Sequence, residues 1–302
     1  MAKQLRLEDL SPDAAQIVLD KRTAGRYRLK RWLKTLHEVE LFDQDTGRSQ
    51  QGGRVWLVVA GVVLFFLVMG TVISILDAAG TATIGAFMFA VFVAFGLLVF
   101  LIIRERRLKR SDLADDFHRV LLPFLRTIEE DIPSPGKVSL DLDLSGPTDT
   151  KIVRKEKIPP GRFRKVLRTV YDDPWCRLDA PLAEGSRLSL NISNIYTVRD
   201  CHWRNSRGKF KRKRKWKKVV VVTAGLVPNA RTYAVEPGDM VAATRSVRFK
   251  LTQKKNGQMA TVRRKYKFKS VDKTPDEYVA SDELVGMFFQ LGAMLKLSQP
   301  GS

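Results

Sequence analysis

The sequence predicts an α+β membrane protein: a two-helix transmembrane hairpin, an N-terminal amphipathic helix, and a cytosolic antiparallel β sandwich or barrel with a C-terminal helix. Three observations carry this. Residues 55–76 and 81–103 are uncharged apolar runs of 22 and 23 residues joined by Asp77-Ala78-Ala79-Gly80. At about 1.5 Å rise per residue they are roughly 33 and 35 Å long, enough for a ~30 Å hydrocarbon core. From Lys137 the apolar period changes to two and continues for seven or eight segments without a helix between them, the pattern of an antiparallel β domain. Third, residues 137–270 hold 33 Lys and Arg against 11 Asp and Glu, a balance of +22, while the rest of the chain sums to −1. One region carries the whole excess, so its expected partner is anionic.

The opening MAKQLRLEDLSPDAA has no apolar core, so the first span is expected to serve as an uncleaved anchor. Arg48 and Arg54 precede the first span, and Arg104, Arg106, Arg107, Lys109 and Arg110 follow the second. The connecting turn has no cation. The positive-inside rule then places both termini in the cytosol, giving a two-pass protein (of the inner membrane, in a bacterium). Two cysteines, Cys176 and Cys201, make no disulfide framework and suit a reducing compartment.

Taken in order, the chain divides into 1–53 (basic amphipathic helix and linker), 54–103 (hairpin), 104–136 (juxtamembrane stalk and Pro/Gly linker), 137–270 (basic all-β domain) and 271–302 (apolar C-terminal helix). Ser11-Pro12-Asp13 is a helix start, and a helix is expected from 12 to about 42, interrupted at Gly25. Its stripe of Leu29, Trp32, Leu33, Leu36 and Val39 fits either the anionic leaflet or packing on the cytosolic domain or on another copy of itself. In the second span Ala82, Ala86, Ala90 and Ala94 recur every four residues, a ladder that permits close helix packing within the hairpin or between copies in a homo-oligomer. Neither span contains an ionisable residue, which argues against a transporter. A stalk helix is expected to continue to about Ile128 with a kink at Pro123, its stripe running through Leu113, Phe117, Leu121, Phe124 and Leu125. Pro133-Ser134-Pro135-Gly136 ends it.

The expected strands are 137–144, 151–158, 163–171 (closed by a turn at Asp172-Asp173-Pro174), 187–203 and 209–226 as a long hairpin about Asn205-Ser206-Arg207-Gly208, and 247–251 with 260–268 about Asn256-Gly257. A last helix is expected over 281–297.

No catalytic constellation emerges, and the chain is expected not to be an enzyme. It has no G-x-x-x-x-G-K-[ST] and no G-x-G-x-x-G, and no cofactor is implied. Cys201 and His202, adjacent on a strand, point to opposite faces and make a poor metal site. Asp141 and Asp143 share a strand face on which a divalent ion is conceivable, but a solvated face is the simpler account. The sharpest signal is 209–218, where eight of ten residues are basic: Lys209, Lys211, Arg212, Lys213, Arg214, Lys215, Lys217 and Lys218, with Trp216 among them. With Arg263, Lys265 and Lys267 on a later strand, whose cationic alternation continues to Lys269, they form the candidate anion-binding set. The partner classes are anionic lipid head groups, an acidic protein, and nucleic acid. Two functions follow: a membrane-anchored scaffold that recruits an anionic partner, or a membrane effector whose β domain senses a small anionic ligand and assembles the hairpin.

Overall fold

The computed structural model describes residues 6–76, 81–111, 113–114, 116–159, 165–235, 247–254 and 257–297. Within these, side chains are left undescribed at 48–54, 73–76, 81–87 and 107–111, and at a few strand positions. The chain divides into two compact units, one of residues 1–15 and 38–112 and the other of residues 16–37 and 113–302.

In the first unit, the part of helix α2 (Leu29–Leu76) from residue 38 onward is followed by helix α3 (Thr81–Ser111). Both contain a stretch long and apolar enough to cross a membrane, Val55–Val72 with mean hydropathy 2.7 and Met88–Arg106 with 2.3. Phe66, Phe89 and Phe92 are 67, 73 and 78 % exposed. Soluble helices bury such side chains; here the apolar surface faces outward. Each helix has one line of lesser exposure, through Leu57, Ala60, Leu64 and Leu67 on α2 and through Ala90, Ala94, Leu98 and Leu101 on α3. Ala90 and Ala94, the described half of the alanine ladder, lie on the less exposed line of α3. The side chains of Ala82 and Ala86, and the whole turn 77–80, lie outside the described residues.

The second unit is built on one large antiparallel sheet of strands β1 (Arg22–Arg28), β2 (Lys137–Asp143), β3 (Ile152–Ile158), β4 (Lys165–Pro181), β5 (Arg187–Arg204), β6 (Phe210–Val227), β8 (Val247–Lys254) and β9 (Gly257–Val271). The order is β1-β2-β4-β5-β6-β9-β8, with β3 also paired to β4. This replaces the expected sandwich or barrel. Among the described residues β1 and β8 do not meet, and the only other sheet is the two-stranded pair of β7 (Tyr233–Val235) with β10 (Leu295–Leu297).

Alternation supplies the core. Leu140, Leu178, Leu190, Ala224 and Val262 form one cross-strand row on the inner face, each at most 1 % exposed. Two helical segments contribute to the same core. One is a π-helical turn at Phe117–Leu121 running into α4 (Leu122–Thr127), and the other is α5 (Ser281–Gly292). Phe124 of α4 stacks on Phe288 of α5 at 5.5 Å. The π turn has a local cause: Pro123 has no N–H for the carbonyl four residues back, and the Leu122 N–H bonds Phe117 instead. The stalk is accordingly two elements. Helix α3 ends at Ser111, and the stripe of Phe117, Leu121, Phe124 and Leu125 is wholly buried in the second unit.

Four further expectations change. The N-terminal helix is α1 (Pro12–Asp20), then β1, then α2. Gly25 marks an edge strand paired to β2, where the Tyr27 ring lies over the glycine and a Cβ would meet it at 2.6 Å. Trp32 is 2 % exposed and its Nε1 donates to the Val138 carbonyl at 3.1 Å, so Trp32 packs on β2 and not on a leaflet. Asp172-Asp173-Pro174 is not a turn: β4 runs through it with a register shift between Pro174 and Cys176, a bulge that accommodates the residue unable to donate. Before the shift β4 pairs with β3, and after it with β2. The last helix stops at Gly292, and 295–297 is a strand. Phe163 and the Lys255-Asn256 turn lie outside the described residues.

Candidate anion-binding face

The long hairpin forms as the sequence implies, with Arg204 opposite Phe210 and Gly208 supplying a left-handed residue (φ +73°) to its turn. Strand parity then divides the basic run. Even-numbered residues of β6 face the core side. Arg212 and Arg214 point that way and bind Asp200 Oδ1 at 3.1 and 2.9 Å. Burial alone would raise the Asp200 carboxyl; hydrogen bonds from Arg214 and Arg212 outweigh it and hold the carboxyl below its usual range. Trp216 is half-buried, edge-on to Tyr196 at 6.4 Å.

Lys218 is buried at 3 % exposure. Its Nζ donates to both Asp116 oxygens at 2.9 Å and to the Glu277 carbonyl at 3.2 Å. Asn194 Nδ2 also donates to Asp116, at 2.7 Å. These four members of the candidate set are engaged within the fold.

Lys211, Lys213, Lys215 and Lys217 are the odd-numbered residues and line the outer face, with Lys209 exposed at the turn. The neighbouring strands continue that face. Lys217 stands opposite Lys269, Val219 opposite Lys267, Val221 opposite Lys265 and Thr223 opposite Arg263. Arg263 stands opposite Arg248, and Thr261 opposite Lys250. Across β5, Lys215 faces Arg199, which faces Arg168. Arg199, Arg248 and Lys250 were not singled out as binding residues from the sequence. Their signal was the alternation itself, which places them on the same face once the strand order is known. All but Arg168 and Lys213 are classed as exposed. Acidic residues of this face, Asp141, Asp172 and Asp179, sit on β2 and β4, so the face is cationic on its β6-β9-β8 side and mixed on the other.

The arrangement costs stability. Like charges directly opposite on adjacent strands destabilise a sheet, by roughly 0.2–1 kcal/mol per pair. Here Lys217–Lys269, Arg263–Arg248, Lys215–Arg199 and Arg199–Arg168 are all so placed. Glu156 relieves one end, at 3.0 Å from Arg168. At the hairpin tip Phe210 is 72 % exposed, with the Arg204 guanidinium 4.2 Å from its ring centre.

The other sequence candidates resolve into structural roles. Asp143 is bound by Arg22 at 2.8 Å and Lys151 at 3.0 Å, and Lys151 also binds buried Asp173. No group of three or more His, Cys, Asp or Glu among the described residues is placed to hold a metal ion. Burial would raise the Asp143 carboxyl, but hydrogen bonds from Ser145, Lys151 and Arg22 hold it down at about 2. The folded value lies below the ordinary ~3.9, so this group's contribution to stability is complete above pH ~4 and is lost as pH falls toward 2. Replacing Asp143 with Asn is expected to remove that part of the acid limb, seen as a flatter dependence of the urea midpoint on pH between 4 and 2. An unchanged slope refutes the assignment.

Comparison with known proteins finds no match to this chain: no protein-family model, no curated protein and no solved structure is similar to it.

Proposed function

We propose that this is a non-enzymatic, two-pass membrane protein that displays the outer face of its sheet to an anionic partner, in the first place the anionic surface of a bilayer. The observation that carries the reading is the set of directly opposed like charges on β5, β6, β9 and β8. A face that lowers its own stability is compensated only when something negative covers it. Anchoring comes from the exposed apolar helices, with both termini cytosolic by their flanking arginines. Few residues separate Ile103 from the start of the second unit at Leu113, so the basic domain works at high effective concentration near head groups. The chosen partner is supported by one further point. The cations lie on one face of one sheet, and a single extended surface can cover such a face, which it could not do for cations distributed around a barrel.

The test uses the full chain in zwitterionic nanodiscs, offered separately phosphatidylglycerol vesicles, a DNA duplex and polyglutamate. Binding to the vesicles is expected to be strongest and to fall steeply as salt shortens the screening length from about 10 Å at 0.1 M to about 3 Å at 1 M. Preference for DNA or polyglutamate would move the partner to those classes. No binding to any polyanion at low salt would overturn the reading. A second reading, a ligand-sensing effector assembling through its hairpin, is favoured by a cleft at the far end of the same sheet.

A further inference from the structure

At the end of the outer face away from the 205–208 turn, the sheet is hollow. A cleft of about 990 Å³ opens there, at the upper end of the range for small-molecule sites. Its shape follows from small residues. Ser139, Asp179 and Ser189 form one cross-strand row that continues to Gly225. A Cβ at Gly225 would lie 2.2 Å from Met259 Cε and 2.6 Å from Ser189 Oγ, so the missing side chain lets Met259 lie across the sheet and the floor stays low.

The rim is basic. Arg26, Lys137, Arg187 and Arg231 line the cleft and are exposed. Among the described residues no carboxylate pairs with any of the four. Their neighbours differ: Arg22 is 2.8 Å from Asp143, and Arg177 is 3.6 Å from Asp179, the one carboxylate of the lining. Sheet geometry sets their spacing. Arg187 is paired to Pro181 on β4, and Lys137 starts β2 two residues before the Ser139–Asp179 pair, so two strand separations, about 10 Å, lie between the β2 and β5 backbones. Arg26 lies one strand beyond Lys137 and two residues along, at about 8 Å. A lone phosphate engages one such position. An anion with charge at two or more separated centres spans them.

We infer that this cleft binds a small polyanion carrying two or more phosphate groups, held chiefly by Lys137 and Arg187. The site deepens the ligand-sensing reading and is separate from the cationic side of the face: none of Lys211, Lys213, Lys217, Lys265, Lys267 or Lys269 lines it.

The test is calorimetric titration of the full chain in detergent with inorganic orthophosphate, pyrophosphate and tripolyphosphate. Affinity is expected to rise along that series, with one tripolyphosphate bound per chain. Lys137→Gln/Arg187→Gln should weaken tripolyphosphate binding by about 100-fold, the loss of two charge-assisted contacts. Both residues are exposed, so the variant is expected to keep the parent melting temperature without ligand. Ser139→Tyr, which fills the floor and keeps all four cations, should weaken binding as well. Lys265→Gln/Lys267→Gln/Lys269→Gln should leave it within about twofold, although the same variant loses vesicle capture. Binding of several equivalents per chain, equal losses in the cleft and face variants, or no saturable binding each overturns the site. In the last case intact vesicle capture would leave the scaffold reading standing.

Discussion

Asp116→Ala is expected to destabilise the second unit by about 3–5 kcal/mol, the range for removing one partner of a buried ion pair. Lys218 is 3 % exposed and its ammonium has three acceptor contacts, two of them from Asp116. Without the carboxylate a positive charge remains inside, with one carbonyl for company. Lys218→Met is expected to cost less, because the Asp116 side chain is 13 % exposed and keeps its bond from Asn194. The double variant Lys218→Met/Asp116→Leu should recover much of the loss, since well-packed apolar pairs replace buried ion pairs at little net cost. Urea unfolding of the full chain in detergent, followed by tryptophan fluorescence, measures all three. A loss below 1 kcal/mol for Asp116→Ala would show that Lys218 reaches water. Vesicle capture should be the same in Lys218→Met as in the parent, which separates this lysine from its outward neighbours in the same basic run.

That separation explains what the sequence could and could not reveal. Alternation in 137–144 and 247–268 placed strands, because period two with one buried face is a local property. It also places Lys265 to Lys269 on a polar face, but the run 209–218, basic at eight of ten positions, carries no alternation to divide it. What alternation cannot supply is which strands are neighbours, so one open sheet was indistinguishable from a barrel, and cations on three strands could not be assigned to a common face. Lys218 sits in phase with Val220 and Val222, as a core position would. Only the phase betrayed it, because its partner Asp116 is 102 residues away. β1 carries no signal of its own because its arginines continue a basic helix pattern, while its hydrogen-bonding partner is β2, over a hundred residues later. The Asp172-Asp173-Pro174 turn failed for a related reason: turn residues are also bulge residues, and β3 and β2 in tandem along β4 decide between them. The cleft left no signal, since its floor is two serines and a glycine from three separate strands.

Neutralising the face separates binding from stability, because the two are expected to move in opposite directions. Arg263→Gln/Lys265→Gln/Lys267→Gln/Lys269→Gln removes four exposed cations from β9. At about 1 kcal/mol per basic residue near an anionic surface, the loss is about 4 kcal/mol, or roughly 10³-fold in vesicle affinity at low salt. The same change removes the opposed pairs Lys217–Lys269 and Arg263–Arg248, so the folded state should gain a few tenths to about 1 kcal/mol per pair. The variant should therefore bind far less and melt slightly higher, with its remaining affinity less sensitive to salt. Arg212→Gln/Arg214→Gln is the matched control. It removes cations from the same run, but those residues lie on the other face of the sheet and pair with Asp200, so stability should fall and vesicle binding should hold. If both variants lost binding equally, net charge alone would account for capture and the face would have no special role. If the outer variant lost stability instead, the opposed cations would be structural, and the argument that an anionic partner compensates them would fail.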